Sequence, residues 1–117
     1  MSIPVTTDDL AARLEEYGSA CFLVTVGAAG SPKVVHVPVV WDGEVMRCTP
    51  GAGTLRNLGN LTEGAPVTLV FPGPAPDVHS MLLDGTGRVN GDVAVVSVDG
   101  GVLHRPAPVT PGGEAHC

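Results

Sequence analysis

The segment that most limits how this chain can fold is the run at residues 33–41 (KVVHVPVVW). Valine fills most of its positions, and β-branched side chains favour the pleated surface of a strand. Asp42-Gly43 follows directly, and an Asp-Gly pair beside such a run is a strong signal for a tight β-hairpin turn. Residues 44–49 (EVMRCT) are therefore the predicted antiparallel partner strand.

Four further segments of apolar and β-branched residues predict strands: residues 21–26, 67–71, 79–89 and 92–98. Residues 90–91 (NG) form the predicted turn between the last two. Residues 84–87 (DGTG) lie where the fifth strand of the chain needs a bulge or a sharp coil. Residues 99–101 (DGG) are expected to turn the chain into a last short segment at residues 102–105.

Two short helices are predicted among these strands. The first starts at a capping threonine at position 6 or 7 and ends at Gly18, with Leu10, Leu14 and Tyr17 on one face. The second covers residues 54–61 (TLRNLGNL), directly after a Gly-containing break in the strand pattern. Its leucines would form the buried face.

Together these segments predict an all-β domain, which is a barrel of six antiparallel strands with short helices. One helix is N-terminal and the other lies between strands 3 and 4. All 117 residues are assigned to this single domain, with residues 1–6 and 107–117 as mobile ends. Residues 72–78, which include the run PGPAP, are expected to form a loop, because proline cannot donate to a strand ladder.

Charge and composition exclude several classes of protein. The net charge of −6 and the lack of a Lys/Arg cluster argue against a protein that binds nucleic acid. No apolar run approaches the ~18 residues typical of a membrane span, and the N-terminus does not resemble a signal peptide. Cys21, Cys48 and Cys117 are odd in number and widely spaced, which favours reduced thiols in a cytoplasmic protein.

No catalytic acid, base or metal site follows from the spacing of the polar residues. The histidines and cysteines have no metal-ligand spacing, so no metal is predicted. Cys48 lies in an apolar strand, where inert burial is the favoured interpretation. A helix that follows Gly51-Ala52-Gly53 is a candidate anion site, which Thr49, Thr54 and Arg56 support. The alternative is that these glycines only permit a tight turn.

His36 and Pro38 mark one part of the long strand for attention. If the flanking valines point inward, His36 points outward, as an ordinary surface histidine or at a ligand or dimer surface. Pro38 cannot donate to a neighbouring strand, so the strand is at an edge or bulged there. The free backbone groups of such an edge suit hydrogen bonding to a planar heterocycle.

The order of these segments resembles the split β-barrel flavoproteins of the pyridoxamine 5′-phosphate oxidase-like group. The resemblance is carried by residues 33–49, the Gly-containing turn after them, and residues 54–61 and 67–71. Residues 82–92 (LLDGTGRVNGD) and 102–108 (VLHRPAP) are also similar to small members of this group. The similarity extends over roughly residues 7–108 and lies in the order and spacing of the segments.

The resemblance implies a six-stranded antiparallel split barrel that forms a homodimer with two FMN sites at the subunit interface. Strand 2 and the end of strand 3 would line the flavin ring, and the following loop and helix would hold the phosphate. The residues that correspond to these positions are Lys33, His36, Val37, Pro38, Val39, Cys48, Thr49, Gly53, Thr54, Leu55, Arg56 and Asn57. A deazaflavin coenzyme is the alternative cofactor.

The chain departs from the family pattern at Thr54-Leu55, where the family usually has basic residues. Arg56 is the nearby cation, and Lys33 is expected to reach the same place from strand 2. The expected function is an FMN-dependent oxidoreductase that transfers hydride to an unidentified small substrate. It is not a true pyridoxamine phosphate oxidase. The alternatives are a non-catalytic binding protein for a flavin, a deazaflavin or another small ligand, and a dimerisation module without a ligand.

Overall fold

The computed structural model describes residues 2–59, 64–74 and 78–105, and these residues form seven β-strands and two α-helices. The strands are β1 (Ser2–Val5), β2 (Ala20–Val26), β3 (Pro32–Trp41), β4 (Met46–Cys48), β5 (Ala65–Phe71), β6 (Ser80–Asn90) and β7 (Val93–His104). The helices are α1 (Leu10–Tyr17), which follows a 3-10 turn at Thr7–Asp9, and α2 (Ala52–Gly59).

Six of the strands close into an antiparallel barrel in the order β7-β4-β3-β2-β5-β6, because β6 also pairs with β7. Val, Leu, Met and Phe71 side chains fill its interior, as strand alternation requires. The predicted all-β barrel with short helices is confirmed. The hairpin at Asp42-Gly43 is also confirmed, since the Asp42 carboxylate accepts the N–H groups of Glu44 and Val45 at 2.8 and 2.9 Å.

The N-terminal residues differ from the prediction. Residues 1–6 were expected to be a mobile end, but residues 2–5 form β1 and pair with the last third of β7, with Ile3 opposite Leu103. The prediction was wrong because this pairing depends on a segment about 100 residues away in the chain, which local sequence patterns do not report. Residues 106–117, and with them the predicted C-terminal mobile end, lie outside the described residues.

The predicted turn at residues 99–101 is also wrong, because β7 continues through it to His104. β6 and β7 remain paired on both sides of this point, with a register shift between Asp84 and Gly85. The extra residue on β7 is accommodated as an irregularity within the strand. The irregularity lies within the predicted segment 84–87, but the extra residue is Asp99 on β7 and not a residue of β6.

Helix α2 packs on the barrel through its buried residues Thr54 and Leu58. It begins two residues earlier than predicted and is described to Gly59, so the predicted end at residues 60–61 lies outside the described residues. Gly87 on β6 permits this packing, because a Cβ there would be 2.9 Å from Leu58 Cδ2. The missing side chain of Gly87 thus sets how closely α2 approaches the sheet.

Hydrogen bonds fix the two ends of helix α1. The Asp9 carboxylate accepts the N–H of Thr6 at 3.2 Å and thereby closes the start of the helical segment. Gly18 ends α1 by donating its N–H to Leu14 O at 2.8 Å. The Tyr17 hydroxyl donates to His79 O at 2.9 Å, which ties the end of α1 to the segment before β6. Both predicted helices are therefore present. Helix α2 is held by packing on the sheet, and helix α1 is held in part by hydrogen bonds near its two ends.

Candidate functional site

The strand β3 has an open edge. Over residues 32–38 it pairs with β2, whereas its pairing with β4 begins only at Val39. Within the described residues, positions 32–38 therefore have a strand neighbour on one side only. Pro38 lies at the end of this stretch, so its missing N–H removes no bond to β4, in agreement with the predicted edge.

The two faces of β3 have different characters. Val37 and Val39 point into the barrel and are buried, and the Val39 N–H donates to Ser19 O at 2.7 Å. His36 and Pro38 are exposed on the outside, as predicted for His36. The His36 ring stacks on Phe22 of β2, with ring centroids 4.7 Å apart.

Apolar side chains surround this stack on the outside of the barrel. We define the outer apolar face as Phe22, Val26, Val34, His36 and Val40. Val34 and Val40 are 58% and 65% exposed, although valine is a residue that proteins usually bury. Contiguous exposed apolar residues on a sheet indicate an interaction surface.

Lys33 reaches the first turn of α2 from the beginning of β3. Its Nζ lies so close to Gly53 that a Cβ on this glycine would collide with it. The Leu55 N–H donates to Gly51 O at 3.2 Å, so the N–H groups of residues 52–54 precede the first bond of the helix. The Lys33 side chain therefore lies beside the first turn of α2.

The electrostatics of this contact favour an anion. A helix N-terminus carries a partial positive charge, and the Lys33 ammonium adds a full one. Among the described residues, the Lys33 ammonium has no hydrogen bond and no carboxylate partner. These two positive groups repel each other, and an anion bound between them would be attracted by both. We call Lys33, Gly53 and the N–H groups of residues 52–54 the anion corner.

Asn57, which the resemblance assigns to the phosphate end, connects α2 to β2. Its Nδ2 donates to Thr25 Oγ1 at 3.2 Å, and its Oδ1 lies 3.3 Å from the place of a Cβ on Gly27. Thr25 is buried and lies opposite Lys33 in the β2–β3 register. Asn57 and Thr25 therefore hold α2 on β2, which positions the anion corner. The sequence analysis overlooked Thr25, although a threonine within an apolar strand was a usable signal.

Arg56 and Thr49 are exposed. Arg56 is three residues after Gly53 on α2, and residues three apart are neighbours on a helix surface. Thr49 lies between β4 and α2. Arg56 is thus a second cation on the face of α2 that carries Gly53.

Four predicted site residues are buried: Val37, Val39, Cys48 and Thr54. Burial raises the pKa of the Cys48 thiol to about 11 and, with Cys48 nearby, raises the pKa of Cys21 to about 12. Both thiols are therefore protonated and inert near neutral pH, as predicted for Cys48. Thr54 is 1% exposed, and its Oγ1 has no hydrogen-bond partner among the described residues. These side chains shape the barrel interior beneath the edge of β3.

The described residues contain no group of three or more metal-ligating side chains that could hold an ion. Ion pairs join Arg13 to Glu16 on α1 and Asp42 to Arg47 at the β3–β4 hairpin. Residues 75–77 of the predicted loop lie outside the described residues. What remains is a binding geometry: an open strand edge with a cationic corner at its start.

A scan of the sequence against models of known protein families finds no match, and a search of curated proteins finds no significant match. The resemblance to split-barrel flavoproteins therefore depends on the order of the sequence segments. Among the described residues, no helix has the length and apolar character needed to cross a membrane.

Proposed function

We propose that this protein binds FMN along the open edge of β3 and acts as a small flavin-dependent oxidoreductase. The observation that carries the proposal is the Lys33 ammonium beside Gly53 in the first turn of α2. FMN supplies the hydride-transfer chemistry when bound, so the chain needs no catalytic acid or base of its own.

The anion corner would hold the phosphate. Gly53 has no side chain, so a phosphate oxygen can approach the backbone of the first turn closely. Lys33 contributes a charge-assisted hydrogen bond, and Arg56 adds a second cation on the same helix face. Asn57 and Thr25 keep α2 in place through their 3.2 Å hydrogen bond.

The open edge of β3 would hold the ring. Residues 32–38 offer backbone N–H and C=O groups that have no strand partner on one side within the described residues. A flat heterocycle with donors and acceptors on its rim can satisfy such groups. Val37 and Val39 form the rigid interior beneath this edge, and Pro38 limits its backbone freedom. In this proposal, the chain binds and orients the ring.

We further propose a homodimer in which a second copy covers the outer apolar face. Phe22, Val34 and Val40 expose apolar surface that dimerisation would remove from water. This face includes the outside of β3, so a partner placed there would stand beside the open edge. The flavin sites would then lie at the subunit interface, as in the family that the sequence resembles.

A cytoplasmic location is part of the same proposal. Cys21 and Cys48 are both free thiols in the barrel interior. Free, buried cysteines are typical of proteins in reducing compartments.

A non-catalytic binding protein on the same barrel is the second candidate function. It is favoured by Thr54-Leu55, which occupies the place of the usual basic pair and contributes a buried and a half-buried side chain instead. Lys33 and Arg56 are then the cations available at the anion corner. A deazaflavin with its longer anionic tail fits this small number of cations less well than FMN does.

The decisive experiment measures the affinity of the purified protein for FMN and for riboflavin, which lacks the phosphate. We expect FMN to remain bound through a desalting column. Lys33→Met should weaken FMN binding by about ten- to a hundredfold, since a charge-assisted hydrogen bond contributes ~1.5–3 kcal/mol, and should leave riboflavin binding unchanged. Arg56→Ala should act in the same direction.

Arg13→Met is the matched control, because it removes one positive charge from α1. It should change neither affinity. Equal effects of Lys33→Met on both ligands would contradict the anion corner. A protein that retains no flavin would favour the second candidate function, and sedimentation as a flavin-loaded monomer would contradict the interface site.

A further inference from the structure

A concavity lies at the opposite end of β3 from Lys33. It has a volume of about 430 Å³ and is situated between α1 and the end of β3. Its walls are mainly apolar and include Ala11 and Leu14 of α1 and Val39 and Trp41 of β3. This volume is within the ~300–1,000 Å³ range of small-molecule sites. We call it the α1 pocket.

Glu15 gives the α1 pocket a negative charge. Glu15 belongs to the lining, and among the described residues its carboxylate has no hydrogen bond or ion pair. The neighbouring Glu16, in contrast, is paired with Arg13 at 3.1 Å. Of these two adjacent carboxylates on α1, the one at the pocket is therefore the one available to a ligand.

The C-terminal end of α1 adds partial negative charge to the pocket. Gly18 and Ser19, which follow the last turn of the helix, also line the pocket. The last turn contains no basic residue, so no cation of the helix itself offsets the partial negative charge of its terminal carbonyl groups. A helix C-terminus and a free carboxylate thus meet at one small concavity.

Trp41 adds an aromatic wall. Its side chain is half-buried and packs against the barrel core. Tryptophan is the aromatic residue with the strongest attraction for a cation over its ring. An apolar wall, an indole ring and uncompensated negative charge together suit a ligand that carries a positive group on an apolar skeleton.

We propose that the α1 pocket binds a small organic ammonium ion, such as an arylalkylamine. The ammonium group would pair with Glu15 near the end of α1, and the apolar body would lie against Leu14, Val39 and Trp41. The test of this site does not depend on the proposed flavin function, because the two sites share only Val39 and none of the charged groups of the α1 pocket belongs to the anion corner. A failure to bind FMN would therefore not contradict the proposal that the α1 pocket binds an ammonium ion.

Trp41 makes the proposal directly measurable, because it is the single tryptophan of the sequence. The probe is 2-phenylethylammonium, titrated while tryptophan emission is recorded. We expect a saturable change with this amine, weaker binding of the neutral 2-phenylethanol and no binding of phenylacetate. Added salt should weaken the amine and not the alcohol, because salt screens an exposed ion pair.

Glu15→Gln should weaken the amine by about two- to fivefold, the size of an exposed ion pair, and should not affect the alcohol. Glu16→Gln is the matched control and should change nothing, since Glu16 is paired with Arg13. Amide NMR signals of Gly18 and Ser19 provide a second readout. Equal binding of amine and alcohol, equal effects of the two variants, or an amine that shifts neither readout would overturn the proposal.

Discussion

The two ends of β3 show how one strand can present opposite electrostatic environments. At its start, Lys33 meets the N-terminal turn of α2, where helix N–H groups and an ammonium group lie together. At its end, Trp41 lines a pocket with Glu15 and the C-terminal end of α1. The apolar core beneath both ends is continuous. The difference therefore comes from which end of each helix faces the strand.

This comparison explains why the net charge of −6 is a poor guide to what binds where. A helix terminus carries about half a charge with a fixed direction, and its effect falls off within a turn. A single side chain of the same sign placed there doubles or triples the local charge. Lys33 and Glu15 each occupy such a position, so two small regions have opposite preferences despite the acidic surface.

The largest effect is expected on the free energy of unfolding, when apolar side chains of the two helices are shortened. Leu58→Ala removes a side chain of α2 that is 1% exposed and should lower the free energy of unfolding by ~2–5 kcal/mol. Leu14→Ala on α1 should cost only about 1 kcal/mol, because that side chain is half-buried. Urea unfolding of both variants measures the difference. Equal losses would mean that α1 and α2 are anchored equally, contrary to their burial.

An intermediate effect is expected at the anion corner. Gly53→Ala should displace the Lys33 ammonium and weaken FMN by about tenfold, the equivalent of one charge-assisted hydrogen bond at ~1.5 kcal/mol. Stability should change little or rise, because alanine is the better helix former. Gly51→Ala is the control, since a Cβ there meets no atom within 4 Å. Unaltered FMN affinity in Gly53→Ala would break the assignment of Lys33 to the phosphate.

The smallest effect concerns the hairpin that follows Trp41. The N–H groups of Val45 and Glu44 and the Arg47 guanidinium hold the pKa of Asp42 well below its usual range. Such a depressed pKa stabilises the fold above the unfolded pKa of about 3.9, and the contribution is lost as pH falls below that value. Stability should therefore decline slightly below pH ~4.

Asp42→Asn tests this directly, because asparagine keeps an acceptor for the turn and has no charge to titrate. Chemical unfolding at several pH values between neutral and acid should show less acid loss in this variant than in the native protein. The Trp41 emission reports whether the end of β3 changes with the hairpin. An acid loss of the same size in both proteins would assign the effect to other carboxylates.

Local signals predicted most of the fold. Asp42-Gly43 and Asn90-Gly91 specify tight turns through their own backbone preferences, so both hairpins could be placed from a few residues. The bulge near Asp84 was recognisable for the same reason. By contrast, β1 contains Pro4 and only a few apolar residues, and it is a strand because the end of β7 pairs with it.

The candidate site divides in the same way. The chain itself determined that Lys33 begins a strand, that Gly53 and Arg56 lie near the start of a helix, and that His36 alternates with buried valines. It left open that Asn57 would be held by Thr25 and that Thr54 would be buried. Those outcomes depend on how α2 is rotated on the barrel, which Leu58 and Gly87 decide.

The sequence by itself determined the strand pattern, the turns and the charges that the chain can offer. The tertiary structure decided which charges meet which helix ends, because barrel closure brings together residues that are far apart in the chain. Lys33 and Gly53 are 20 positions apart, and Glu15 and Trp41 are 26 apart. Such contacts are formed by packing and not by local backbone preference, so only the closed barrel places a cation at one end of β3 and a carboxylate at the other.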